Sequence, residues 1–273
     1  MESHRGLGSL RAEFVRGEST VTRARATYPL KFLTPRFRGQ SAWTYVSSMG
    51  GGLVDGDRLG VSVRVSEHAT SFLGTQASTK VFRSPTGKGC RQELQASVEE
   101  DATLVLLPDP VTCFANARYE QVQSFDLHED GNLLLLDWIT SGRWSTGERW
   151  AFSRYSSRCD VFVGGDHRLA DTLVLDPADG DLAGRFRMGE FNCLAVVVII
   201  GPRLQSLVDS SRCEIEKQNV GKDMGVIESF SPIEGGAVLR LVGLTTELVG
   251  FTLRRRLANI AQILGESPWE RKW

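Results

Sequence analysis

The sequence holds little of what catalysis or metal storage usually draws on. Its five cysteines, Cys90, Cys113, Cys159, Cys193 and Cys213, are odd in number and widely scattered. No CxxC pair occurs, so a structural zinc site with closely spaced ligands is not expected. A disulfide framework would need denser cysteine. Reduced thiols in a cytoplasmic protein are the plain reading. The four histidines, His4, His68, His128 and His167, are as dispersed, and neither HxH nor HExxH is present. An excess of one charge is missing too. With a net charge of −1, there is no electrostatic case for nucleic acid or an anionic membrane as partner. The longest apolar run, 194–200, falls far short of the about 20 residues that span a bilayer. No apolar stretch follows Met1-Glu2-Ser3-His4-Arg5, so a secretory signal is not expected.

Familiar templates are absent as well. Gly50-Gly51-Gly52 invites a phosphate-loop reading, but no lysine follows Gly56 at the required place. The same glycines lead into strand-like sequence, where a dinucleotide fingerprint needs a helix. A calcium loop starting at Asp55 would put Leu59 at a ligand position and lacks its closing glutamate. GxSxG does not occur.

What is present is a strand pattern. The 273 residues are 41% hydrophobic, enough for one large domain or two small ones. Val61, Val63 and Val65 alternate with Ser62, Arg64 and Ser66, as a half-buried strand requires. The runs 104–107 and 133–136 are short, continuous and apolar, and Pro108 and Gly131 bound them. That pattern fits strands covered on both faces. Segments 117–127, 150–154, 158–163 and 192–200 continue the series. Turn signals separate them, among them Asp55-Gly56, Asp130-Gly131 and Gly164-Gly165. Strands without helices between them argue for an all-β architecture over a parallel α/β sheet.

The C-terminal part differs. Segment 203–212 suits a short helix. Leu244, Leu248, Phe251, Ala258, Ala261 and Leu264 recur at helical spacing, which predicts an amphipathic helix over 245–264. Gly265 and Pro268 supply its stop. Arg254-Arg255-Arg256 falls inside it as a solvated face, with an acidic partner as the sharper alternative. No linker divides the chain. One domain over 1–273 is expected, strand-rich over 8–200 and helix-containing over 201–273.

The acids near turns and strand ends are Asp55, Asp57, Asp109, Asp137, Glu148 and Asp171. Asp137 closes an apolar run, and a carboxylate there is costly unless it is paired, hydrogen-bonded or metal-bound. A salt bridge to Arg143 or Arg149 is its plain reading. A turn residue bonding its own backbone is the plain reading of Asp57. An Asp pair could also serve glycoside hydrolysis, but the sequence does not fix a separation.

Several blocks keep order and spacing. They are Tyr28-Pro29-Leu30-Lys31, Gly51-Gly52-Leu53-Val54-Asp55-Gly56-Asp57 and Ala77-Ser78-Thr79-Lys80-Val81-Phe82-Arg83-Ser84. Leu107-Pro108-Asp109-Pro110-Val111-Thr112-Cys113-Phe114, Ala115-Asn116-Ala117-Arg118-Tyr119, Asp137-Trp138-Ile139-Thr140-Ser141-Gly142-Arg143 and Gly147-Glu148-Arg149-Trp150 follow. On these blocks the chain resembles the urease accessory protein D family, called UreD or UreH. The match is strongest over 28–165 and looser beyond, ending in Pro268-Trp269.

The resemblance implies a non-catalytic scaffold in nickel delivery to urease. It implies a predominantly β fold with strands stacked in a helical or layered fashion, and a pair of C-terminal helices. It implies as partners the F and G accessory proteins, the latter a GTPase, and the urease apoprotein. It also implies an internal passage for transient Ni(II), with no tightly bound cofactor. Carried over by position, the candidates lining that passage are Asp57, Thr79, Asp137, Asp171 and Glu148, with Gly51, Gly52 and Gly56 shaping its wall. Arg254, Arg255 and Arg256 are the candidate docking residues. Lone carboxylates and hydroxyls hold Ni²⁺ weakly, and a conduit has to release what it takes in. Arg58 follows Asp57, and an arginine facing the passage would repel a cation. Two rivals stand beside this expectation. One is a β-solenoid hydrolase using Asp55, Asp57 or Asp137. The other is an interaction module without a metal role.

Overall fold

The chain winds back and forth between two sheets in a computed structural model that describes residues 5–35, 39–217 and 225–270. β1 (Arg5–Val15) and β2 (Glu18–Ala26) open the first sheet as an antiparallel pair. β3 (Leu30–Leu33) and β4 (Ala42–Ser48) open the second in the same way. Successive strands then alternate between sheets. β5 (Arg58–Val65) lies in the first, and β6 (Thr70–Thr75) and the short β7 (Thr79–Val81) in the second. β8 (Cys90–Val98) returns to the first, and β9 (Thr103–Leu107) and the short β10 (Val111–Cys113) to the second. β11 (Arg118–Leu127), β12 (Asn132–Thr140) and β13 (Arg154–Val163) repeat the alternation.

Winding of this kind makes neighbours parallel. β1, β5, β8, β11 and β13 pair in parallel in that order, as do β4, β6, β9 and β12. Parallel neighbours need a crossover, and here the crossover is a strand of the opposite sheet where α/β proteins use a helix. The expected all-β scaffold of stacked strands is therefore present. β14 (Asp166–Leu175) closes the first sheet antiparallel to β13. β15 (Cys193–Ile200), β16 (Val226–Ile233) and β17 (Gly236–Gly243) complete the second with antiparallel pairings.

The second sheet is covered on both faces, which explains its continuous apolar runs. Leu133 and Leu135 of β12 face the first sheet with Val63, Val98 and Phe125. Leu134 and Leu136 face the other way, onto the helices. Those helices are α1 (Gln205–Glu216), α2 (Thr246–Arg256) and α3 (Ile260–Leu264). Leu207, Val249, Leu253, Leu257, Ile260 and Leu264 bury their side chains on the sheet.

Three local expectations need correction. The strand expected over 150–154 starts only at Arg154. Trp150, at φ 52°, and Phe152 are instead buried in the preceding loop, where Trp150 Nε1 donates to the Phe191 carbonyl at 3.0 Å. The single helix expected over 245–264 breaks after Arg256, so that Val249 and Leu253 on one side and Ile260 and Leu264 on the other all reach the sheet. Its buried stripe is also one position out of phase, leaving Leu248 and Phe251 exposed. The arginine run is not one solvated face either. Arg254 and Arg255 are exposed, whereas Arg256 is buried, with Nε and Nη2 each 2.8 Å from the Glu228 carboxylate and Nη1 on Glu214.

Candidate functional site

The alternation that builds the core also delivers polar groups between the sheets. Leu133, Leu135 and Asp137 are successive inward positions of β12, so the last of them places a carboxylate where the apolar row ends. Ser157 Oγ donates to Asp137 Oδ2 at 2.5 Å. Gln121 and Tyr155 also hydrogen-bond to this carboxylate. Neither Arg143 nor Arg149 reaches it, contrary to the salt-bridge expectation. Arg143 pairs with Glu148, and Arg149 Nε donates to Asn192 Oδ1 at 2.6 Å. Burial pushes the Asp137 carboxyl above its ordinary value. The bonds from Ser157, Gln121 and Tyr155 oppose that rise, and the charge of Asp171 adds to it.

Asp137 faces a cavity of about 100 Å³ that also touches Thr75, Thr79, Asp109, Gln121 and Gln123. Thr79 and Asp137 thus line one cavity. Thr75 Oγ1 donates to Asp109 Oδ2 at 3.0 Å and accepts from the Asp109 amide at 2.7 Å. Gln123 is 7% exposed, and its Oε1 is buried without a hydrogen-bond partner. An orphaned acceptor of this kind is costly, and a cation or water in the cavity would satisfy it.

A narrower space of about 10 Å³ continues on the other side of Asp137, lined by Tyr155, Ser157, Cys159 and Asp171 among others. Strand register explains the order. Gln123 is paired with Cys159, and Cys159 with Asp171. In the second sheet Asp137 is paired with Val196, and Val196 with Arg240. These rows run across the strands and so along the stacking axis. Arg240 Nη2 donates to Asp171 Oδ1 at 2.5 Å, tying the two rows together.

Other candidates lie elsewhere. Asp57 is buried in a turn, where its Oδ2 accepts from the Val54 amide at 2.9 Å and its own amide donates to the Val54 carbonyl at 3.0 Å. It does not line the cavity between the sheets, and the turn reading describes it. Gly51, Gly52 and Gly56 shape this loop and not the cavity wall. Gly52 allows a close approach, since a Cβ there would stand 2.7 Å from the Lys80 carbonyl oxygen. Arg58 turns outward to the carbonyls of Asp57 and Gly89, both at 2.9 Å, so it does not repel a cation in the interior.

Glu148 belongs to an outer groove of about 670 Å³, with Asp55, Phe82, Arg83, Phe114 and Arg143. Arg143 holds the Glu148 carboxyl below its ordinary value, against the effect of burial. The same guanidinium lies 4.4 Å over the Phe114 ring, and Phe82 meets Phe114 edge to face at 5.3 Å. Burial raises the Asp55 carboxyl, but hydrogen bonds from Thr86 Oγ1 and the amides of Thr86 and Gly89 outweigh it and hold the group low. Blocks that are far apart in sequence therefore meet on one loop face.

Cys90, Cys113, Cys159 and Cys193 are buried free thiols, and burial pushes each one up, Cys90 to about 12. Among the described residues no group of three or more His, Cys, Asp or Glu could hold a metal ion. No helix among them is long and apolar enough to cross a membrane.

Gln121, Gln123, Ser157 and Arg240 were not singled out by the sequence. A signal for the glutamines existed: Tyr119, Gln121, Gln123 and Phe125 are alternate residues of one strand, so the glutamines share the face of two buried aromatics.

Comparison with known proteins agrees with the motif blocks. The model of the family described as UreD urease accessory protein matches residues 4–273. A urease accessory protein UreD of Sorangium cellulosum is 45% identical over 269 residues, covering 98% of this chain and 84% of that relative. A urease accessory protein D of Oryza sativa subsp. indica is 36% identical over 96% of this chain and 94% of its own length. One from Arabidopsis thaliana is 34% identical over 96% and 99%. The chain belongs to the UreD family of urease accessory proteins.

Proposed function

We propose that this protein is a non-catalytic scaffold of urease maturation that passes nickel through the space between its sheets. It docks the F and G accessory proteins and the urease apoprotein, and works in the cytoplasm. One observation carries the reading: Asp137 and the unpaired Gln123 Oε1 line one cavity between the sheets. A carboxylate, an amide oxygen and the hydroxyls of Thr75, Thr79 and Ser157 are hard, weak donors toward Ni²⁺, while imidazole and thiolate would retain it. A wall of such groups lets an ion enter and leave. The ion is cargo here, handed on to the urease active site.

The hydrolase alternative has less in its favour. Asp55 is taken up by hydrogen-bond donors and Asp57 by the Val54 amide, and neither shares a cavity with Asp137, so these three acids form no acid–base pair. The test is to produce urease with the F and G proteins, with and without this chain, and to read nickel content and urea hydrolysis. Both should collapse without the chain and return with it. Urease that fills equally well in its absence would refute the reading.

A further inference from the structure

Two cross-strand rows between the sheets, Gln123–Cys159–Asp171 and Asp137–Val196–Arg240, end on an ion pair. Asp171 stands on β14, the edge strand of the first sheet, and Arg240 on β17, next to the edge of the second. Their side chains meet at 2.5 Å, from Nη2 to Oδ1. Arg240 lies two strands beyond Asp137 in its sheet, and Asp171 two strands beyond Gln123 in the other. The pair thus closes the end of the row that runs through the larger cavity. The space between Asp137 and Asp171, about 10 Å³, is no more than a single water needs.

Asp171 is the second carboxylate lining the narrow space beside Asp137, and the Arg240 guanidinium takes one of its oxygens. The pair is partly solvated, with side chains 44% and 22% exposed. Ion pairs in such settings are weakly held. A divalent ion gains about twice the Coulomb attraction of a monovalent one at the same carboxylate and distance, so divalent ions compete best for the position.

We propose that Arg240 is the plug of the interior passage, holding Asp171 in place of a divalent cation until a metal ion displaces it. The proposal rests on the conduction reading above and adds what closes the path and which ions open it. Arg240 is a positioning residue, since it acts on the cargo through Asp171.

The test uses the full-length chain, with Ni²⁺ binding read by equilibrium dialysis and folding by thermal melting. Arg240→Gln removes the competing charge and should raise Ni²⁺ affinity by about tenfold. Arg240→Lys keeps the charge and should stay near wild type. Asp171→Asn removes the carboxylate and should lower the affinity, and combined with Arg240→Gln it should abolish the gain. Unchanged affinity in a folded Arg240→Gln protein would overturn the plug. Equal affinities for the Lys and Gln variants would also do so, as would an Asp171→Asn protein that binds as tightly as wild type. Nickel content of co-produced urease separates this from the reading beneath it. If Asp137→Asn lowers that content while Arg240→Gln leaves Ni²⁺ affinity unchanged, the plug fails and conduction stands. If Asp137→Asn leaves it unchanged, conduction fails and the plug with it.

Discussion

Replacing Asp137 by asparagine should make the protein more stable at neutral pH while making it worse at its work. The carboxyl is half-buried between the sheets, and burial pushes it above the ordinary value of 3.8. Folding therefore favours its neutral form. Its contribution to stability is fully present below the ordinary value and is lost as pH rises through the raised one. An asparagine carries no charge and keeps an oxygen to accept from Ser157. An uncompensated buried polar group costs about 1–3 kcal/mol, and the hydrogen bonds to Asp137 offset part of that. The net gain on substitution is then about 1 kcal/mol, or a rise in Tm of about 2–4 °C for a domain of this size. Thermal or urea unfolding would measure it, from neutral pH down to the ordinary carboxylate value, with the gap between variant and wild type narrowing once pH falls below the raised value. A variant that is less stable than wild type at neutral pH would refute the reasoning. Asp137 would then be a structural anion held by its donors.

Other outcomes follow from the same contacts. Arg256→Ala leaves Glu228, whose side chain is 4% exposed, without its guanidinium, and should cost about 3–5 kcal/mol in denaturant unfolding. Arg254→Ala and Arg255→Ala, on the exposed side of the same helix, should change stability by less than about 0.5 kcal/mol. Gly52→Ala drives a Cβ against the Lys80 carbonyl and should destabilise by about 1–3 kcal/mol, read by the same unfolding curves. The Glu148 carboxyl is held low by Arg143, so its contribution is present above the ordinary carboxylate value and is lost as pH falls through the depressed one. Glu148→Gln should therefore flatten the acid limb of a stability–pH curve, and an unchanged limb would show that the pair contributes nothing.

Much of this fold was legible in the chain because burial and strand period leave a direct mark. The apolar runs 104–107 and 133–136 read correctly as strands covered on both faces, since one face meets the opposite sheet and the other the helices. The phase of the helix over 245–264 is not written in its spacing. Leu248 and Phe251 fit the period as well as Val249 and Leu253 do, and only the position of the second sheet decides which pair is covered. Arg256 was invisible as a core residue, because its partners Glu228 and Glu214 lie 28 and 42 positions away.

The site divides along the same line. Asp137 could be suspected from its place at the end of an apolar run, and Thr79 and Asp171 from the resemblance. That Asp137 meets Thr79 in one cavity and Asp171 in the next depends on strand registers that no local pattern contains. Asp57 and Glu148 came from the resemblance as well, but their motifs build the outer loops. Arg240 gave no signal, because a lone arginine in a strand looks like any solvated charge until Asp171 is placed beside it.

The most direct measurement is nickel bound per urease after co-production with the F and G proteins and either wild-type chain or Asp137→Asn, at matched amounts of assembled complex. Conduction between the sheets predicts that the variant assembles normally, yet supplies nickel about tenfold more slowly, as a barrier raised by about 1.4 kcal/mol would give, and so leaves urease underfilled. Full nickel content in the variant's urease would contradict the central claim, and would leave this protein a scaffold that carries no metal through its interior.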